Sequence, residues 1–479
     1  MRVGGVAWLL VIRVPWKRER RGCASTRSPA QEFSVARFYD IPSGMARGRL
    51  PHRLTLRTAV AAGALFLSLS PFAQAKFLWG VANSAFQVEG TPEDSDWRRW
   101  TETPGRIHDA TNAQRATDFW NRYDEDFALA QAAGLSAFRF SIAWERIEPR
   151  PDEWNLAAIE HYRQVMHAAR ARGLEPIITL HHTVLPGWLA DQGGLLAPKF
   201  SEHFARYASR TVQALAPGPR GAKWWITLNE PEVLVLAGYT EGIWPPGKRD
   251  LNQTTRALDA LIRAHRAAVQ SIRKLGISGL QIGVAKNWQV LQAFNRRHPV
   301  DRAAATLAHR QYNLRFLDAV AGKDSKTCDF IGLNYYSRNL IRTKPSYPFL
   351  ERRWADEGPT TDLGWEIHPQ GLGQAIQETW KRWKLPILIT ENGLADAADA
   401  QRSQFLDQHL EQLALSRRQG VPLLGYLHWS LTDNFEWAEG LTPRFGLVAI
   451  DYANQSRTPR PSYFHYAKRV QEWGAEGPH

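Results

Sequence analysis

The chain has 479 residues, 44% hydrophobic and 22% charged, an ordinary soluble-globular balance that excludes chain-wide disorder. Its net charge of +13 suggests a nucleic-acid partner until it is located: residues 1–75 hold twelve Lys/Arg against Glu19, Glu32 and Asp40, leaving +4 for the rest. The body has no basic stripe interleaved with aromatics, so nucleic-acid binding is excluded. Trp is abundant, at 20 copies, which composition alone assigns to a large core. Cys23 and Cys328 are the two cysteines, one in the leader and one in the body, so the mature chain has no intrachain disulfide and no Cys-based metal spacing.

The first element read along the chain is a leader. Met45 is followed by Arg47, Arg49, Arg53 and Arg57, then by an apolar run over 59–69, then by Ala73-Gln74-Ala75. Basic, apolar and small-residue regions in that order read as a signal peptide, and so as export to a periplasm or the medium. The apolar run is short for a membrane span, and no stable membrane partner is predicted. Residues 1–44 show no periodicity, and Met45 reads as the true start. An uncleaved anchor and a basic tail are the competing readings, with a cytoplasmic location if the leader is spurious. Cleavage after Ala75 leaves only Lys76 before the first strand.

From 76 to 479 short apolar runs alternate with amphipathic stretches, the pattern of βα units around a parallel sheet. Eight strands are predicted, at Phe77–Ala82, Ala137–Trp144, Pro176–His182, Trp224–Leu228, Gln281–Ala285, Phe330–Tyr335, Pro386–Thr390 and Leu423–Trp429. Helices are predicted between them, for example over Asp124–Ala133 and Leu156–Arg172. Eight units with no Ser/Gly-rich linker predict one α/β domain, a single (β/α)8 TIM barrel with its active site at the C-terminal ends of the strands. A doubly wound sheet is the alternative, but no Gly-rich phosphate fingerprint follows an early strand.

Polar and aromatic residues gather where predicted strands end: His181-His182, Asn229-Glu230, Asn334-Tyr335-Tyr336, Glu391-Asn392 and Trp429-Ser430. A barrel brings those ends to one face. Glu230 and Glu391 each follow a strand ending in or near Thr, and two carboxyls across a barrel mouth are what glycoside hydrolysis requires. One protonates the leaving oxygen and the other attacks or stabilises the anomeric carbon; a gap of about 5–5.5 Å gives retention. Either Glu alone reads better as a strand-end residue holding a loop. The pair, in this setting, does not.

The body also resembles glycoside hydrolase family 1, the β-glucosidase family, from Phe77 to about Tyr466. The matching segments are 77–90 (FLWGVANSAFQVEG), 138–144 (FRFSIAW), 227–231 (TLNEP), 329–336 (DFIGLNYY), 389–393 (ITENG), 429–437 (WSLTDNFEW) and 444–446 (RFG). The resemblance implies a retaining exo-β-glycosidase with no cofactor and no metal, acting on small β-glycosides or oligosaccharides. It implies Glu230 as acid/base and Glu391 as nucleophile, Arg139 keeping Glu391 ionised, and Tyr336 bonding the same carboxylate. Asn229 then holds the sugar 2-hydroxyl, Asn334 builds the polar network, Gln87, His182, Glu436 and Trp437 grip other hydroxyls, and Trp429 floors the ring.

Two departures bear on substrate. Residues 182–186 read HTVLP where the family often has a Trp after the His, and 286–328 match weakly in a region expected to shape the aglycone site. The Glu436-Trp437 pair favours an unphosphorylated sugar. β-Glucosides come first, with β-galactosides and β-fucosides close behind. A transglycosidase shares every catalytic residue and stays open, as does a carbohydrate-binding relative without turnover; the oligomeric state is left open as well.

Overall fold

In the computed structural model, residues 12–13, 76–90, 93–323, 327–345, 350–353 and 358–475 are described. The chain divides into two units, 1–16 with 76–479, and 17–75. The second unit, and with it the signal-peptide segment and Cys23, lies outside the described residues.

Eight parallel strands close on themselves: β1 (Leu78–Ala82), β2 (Ala137–Ser141), β3 (Glu175–His181), β4 (Trp224–Asn229), β5 (Gln281–Ala293), β6 (Phe330–Thr343), β7 (Ile387–Asn392) and β8 (Leu423–Trp429). Consecutive strands pair throughout, and β8 returns to β1 with Gly425 opposite Leu78. The expected TIM barrel is therefore the observed fold. Strands buried on both faces need continuous apolar sequence; Ile387, Leu388 and Ile389 on β7 and Ile177, Ile178 and Leu180 on β3 are all fully buried. Helices cover the outside by the complementary period. Asn155 accepts the Ala158 N–H to start the helix Leu156–Ala171, which buries Ile159, Tyr162, Val165, Met166 and Ala169, the 3–4 spacing of one helical face.

The larger boundary differences fall in four elements. The second strand stops at Ser141, and Trp144 instead opens a helical turn through Ile147. The helix expected at Asp124 begins at Phe119. The fifth and sixth strands overrun the barrel, to Ala293 and Thr343, pairing with each other as far as Ala293 opposite Ile341, and β6 also pairs antiparallel with the short strand Leu350–Arg353. That overrun lifts residues 287–289 onto the rim. Ile12–Arg13 forms a two-residue strand against Leu350–Glu351, in a stretch where no strand was expected.

Composition assigned Trp to the core, and Trp97, Trp144, Trp225 and Trp288 are among the largest fully buried side chains. Cys328 is buried and free. Among the described residues, no helix is long and apolar enough to cross a membrane.

Where β7 ends, the backbones of two strands nearly touch. A Cβ on Gly393 would sit 1.8 Å from the Trp429 carbonyl oxygen, so a side chain there must push the ends of β7 and β8 apart. Gly393→Ala is expected to cost about 1–3 kcal/mol as an overpacked site, read as a lower midpoint in denaturant melts with an unchanged slope.

Candidate active site

Arg139, fully buried on β2, ties the floor of the site together. Its Nη1 donates to Glu391 Oε1 at 2.6 Å and to the Thr390 carbonyl at 3.1 Å. Nη2 donates to Asn229 Oδ1 at 2.8 Å, and Nε to Thr179 Oγ1 at 3.0 Å. One guanidinium thereby links β2 to β3, β4 and β7. The Tyr336 hydroxyl, from β6, donates to the other oxygen of Glu391 at 2.6 Å. Each oxygen of that carboxylate is held by its own donor, which fixes the plane of the group.

Glu230 is held differently. It follows β4 with φ +46, a left-handed conformation that a residue other than glycine adopts at a cost of about 1–3 kcal/mol. Its N–H donates to the Ala285 carbonyl at 2.8 Å, and Pro231 directly starts the helix Pro231–Val235. Its Oε1 accepts two neutral amides, Asn287 Nδ2 at 2.8 Å and Asn334 Nδ2 at 2.9 Å. Thr390 Oγ1 donates to Asn334 Oδ1 at 2.6 Å, which orients that amide. Both lone pairs of Glu230 Oε1 are thus used, so the proton of the acid form belongs on Oε2.

Both carboxyls open into one cavity. Nine of the eleven predicted residues line it: Gln87, His182, Asn229, Glu230, Tyr336, Glu391, Trp429, Glu436 and Trp437. Arg139 and Asn334 hold three of those nine, Asn229, Glu230 and Glu391. Gln87 Nε2 donates to Asn434 Oδ1 and the Phe435 carbonyl, both at 3.0 Å, and lies 3.4 Å from Glu436 Oε2. His182 stacks between Trp429 and Trp437, with ring centroids 5.9 and 6.0 Å away. Sequence reading missed Asn287 and Tyr312, whose hydroxyl donates to Asn287 Oδ1 at 2.8 Å, and also Trp365 and Phe445 on the cavity wall. For Asn287 the signal was an Asn two residues beyond a predicted strand end, in the stretch that matched weakly. Among the described residues, no group of three or more His, Cys, Asp or Glu is arranged to hold a metal ion.

The family model for glycosyl hydrolase family 1 matches residues 70–324 and 307–474. The chain belongs to that family. It is 32% identical to β-glucosidase A of Thermotoga maritima over 444 residues, 84% of this chain and 98% of that protein. It is also 30% identical to a β-galactosidase of Sulfolobus acidocaldarius, over 83% of this chain and 95% of the relative. The solved structure of the Thermotoga maritima β-glucosidase in complex with glucoimidazole superposes with a TM-score of 0.76 at 31% identity, covering 82% of this chain and 98% of that one. This is a retaining β-glycosidase, a glycoside hydrolase on a TIM barrel.

The electrostatics of the hydrolase site follow from burial. Glu391 is pushed up to about 7 by desolvation, with Arg139 pulling down and Glu230 pushing up. Arg139 therefore restrains a rise that burial drives. Burial also raises Glu230, against the pull of its two asparagines. The charge of Glu230 opposes ionisation of Glu391. Ionic donation outweighs neutral donation, so the donors on Glu391 favour its charge more than those on Glu230 do. Glu436 is lifted to about 8 by burial and by Glu439, Glu391 and Glu230, so it enters as a neutral carboxyl able both to donate and to accept. His182 is driven well below its ordinary value by burial, Arg139 and His181, and stays neutral. Thr183, at the position of the family's frequent Trp, lines the cavity with φ +79.

Proposed function

We propose that the enzyme removes terminal β-D-glucosyl residues, with Glu391 as nucleophile and Glu230 as acid/base. The observation that carries the assignment is the asymmetry of the pair: a guanidinium and a phenol on Glu391, two neutral amides on Glu230. Glu391 attacks the anomeric carbon while Glu230 protonates the departing oxygen from Oε2. Glu230, now ionised, takes a proton from water, which displaces Glu391 from the covalent glycosyl-enzyme and releases the sugar with net retention.

The clasp on the sugar follows from unused donors. Asn229 Oδ1 is taken by Arg139 and by Asn334 at 3.1 Å, and one Nδ2 hydrogen faces His182 Nε2 at 3.0 Å. The second Nδ2 hydrogen is free for the 2-hydroxyl. A neutral His182 that accepts at Nε2 carries its proton on Nδ1, which has no partner among the described residues and serves a second hydroxyl. The neutral Glu436 takes a further hydroxyl, and Gln87, whose amide hydrogens go to Asn434 and Phe435, has an Oε1 lone pair left to accept one, with Trp429 and Trp437 against the ring. The β-galactosidase relative keeps galactosides and fucosides as secondary substrates in this reading.

NMR during hydrolysis of an aryl β-D-glucoside by residues 76–479 should show β-glucose first, with kcat/KM above that for the galactoside. A higher value for the galactoside would reassign the glycon, and sugar transferred to added alcohols in preference to water would make the enzyme a transglycosidase. We also propose export, supported by the basic, apolar and small-residue order of 45–75. Exported protein beginning at Lys76 is the expected result of N-terminal sequencing, and full-length protein confined to the cytoplasm would reject it.

A further inference from the structure

An ion pair with no part in the reaction above lies buried behind the acid/base. Lys286 Nζ, fully buried, is 3.3 Å from Glu232 Oε2 and 4.4 Å from the ring centroid of Tyr312. Lys286 directly precedes Asn287 on β5, so strand alternation sends Asn287 to Glu230 and Lys286 to the opposite face. Glu232 lies two residues past Glu230, in the helix Pro231–Val235. From there contacts run to the reacting carboxyl, and Lys286 Nζ also donates to the Asn287 carbonyl. The Lys286 cation sits over Tyr312; Tyr312 donates to Asn287 Oδ1 at 2.8 Å; Asn287 donates to Glu230 Oε1 at 2.8 Å. Tyr312 is carried on a π-helical turn, Arg310–Leu314, that aims it at this point.

Removing two charges from water costs several kcal/mol per ion, and an apolar pair of similar volume often serves stability as well or better. The geometry offers a reason to keep the charges. We propose that Lys286 and Glu232 are positioning residues that set the protonation of Glu230, the cation favouring its ionised form and the anion offsetting that cation. The proposal rests on Glu230 being the acid/base. A cation over a ring face draws on its π density and makes the phenolic O–H a stronger donor, and donors in a chain polarise one another toward Glu230. Burial lifts Glu232 to about 7 against the pull of Lys286. Its charge therefore develops on the alkaline side, where it holds Glu230 protonated to higher pH.

Other charged or titratable groups face Glu230 from the remaining elements: Arg139 on β2, His182 after β3, Tyr336 on β6, Glu391 on β7 and Glu436 after β8. Arg315, on the outer side of the same contact, is engaged with Asp259 at 2.7 Å. None of these changes when the pair is altered, so the two partners should push the titration of Glu230 in opposite directions.

The test is the basic limb of kcat/KM for an alkyl β-glucoside, whose poor leaving group needs the proton of Glu230. Lys286→Met should move that limb to higher pH, and Glu232→Gln to lower pH, each by about half a unit or more for a charge this close. Lys286→Arg, which keeps the cation, should leave it in place. Limbs that stay put, or move together, overturn the proposal, because a purely structural pair lowers activity without opposite shifts. Should either single variant fail to fold, Tyr312→Phe carries the test: cutting the link should raise the limb, and an unmoved limb overturns the idea. Glu230→Gln separates the two readings. Activity on the alkyl glucoside should collapse, with added azide yielding β-glycosyl azide from an activated substrate; without that signature the acid/base assignment itself fails, whatever the pair does.

Discussion

Replacing Glu391 with glycine should lower kcat for an activated aryl β-glucoside by about 10⁴–10⁶-fold, the range seen when a covalent nucleophile is removed. The substrate should still bind, because the clasp of Gln87, His182, Asn229 and Glu436 is untouched. Added azide then provides the decisive reading. The deleted side chain leaves space on the α face of the sugar, and an azide ion entering that space displaces the aglycone in one step. The product is the α-glycosyl azide, inverted relative to substrate. Glu230 bonds to Asn287 and Asn334, not to Glu391, so its position should survive the change. A β-azide product, or a loss of only tenfold, would mean that another group attacks the anomeric carbon and that Glu391 is a support.

Much of this was legible in the sequence, and the part that was not has a common physical cause. Strand ends are visible because a run such as Ile387-Leu-Ile389 must be apolar to sit between two layers, and a following Glu interrupts it abruptly. Asn334 comes opposite Glu391 through a register shift after Leu333, which the apolar pattern does not announce. The supports of Glu230 escape that logic. Asn287 was hidden because β5 continues past the barrel to Ala293, so a residue read as loop is in fact a strand residue facing the site. Tyr312 sits 25 residues later on a π-helical turn, whose wider period breaks the 3.6-residue pattern used to find faces. Lys286 and Glu232 read as exposed charges by type, and only the fold reveals both as buried. Arg139 was legible as a partner that pulls Glu391 down, but the larger opposing push of burial was not. Desolvation at a fully enclosed carboxyl outweighs even a guanidinium at 2.6 Å, and enclosure is a property of the assembled barrel.

Arg139→Met should therefore do two things at once. It removes the cation from four acceptors on three strands and leaves a buried carboxylate unpaired, which costs about 3–5 kcal/mol in comparable cases. The sign of the pH dependence follows from Glu391. Its ordinary value is 4.5, it lies at about 7 with Arg139 in place, and losing the cation moves it higher still. A carboxyl whose folded value exceeds its unfolded one weakens the fold progressively as pH rises through the interval between them. The stability deficit of the variant should thus be smaller below about 7, where a proton on Glu391 stands in for the lost guanidinium, and grow as pH rises above it. Activity should change in the matching sense. The nucleophile must be ionised, so the acid limb of kcat/KM for a dinitrophenyl glucoside, which needs no protonation of its leaving group, should move to higher pH. An acid limb that stays where it was, in a variant that nonetheless melts early, would reduce Arg139 to a strut between β2 and its neighbours. An acid limb and a stability deficit that move together would show that one guanidinium both holds the barrel floor and keeps its nucleophile charged.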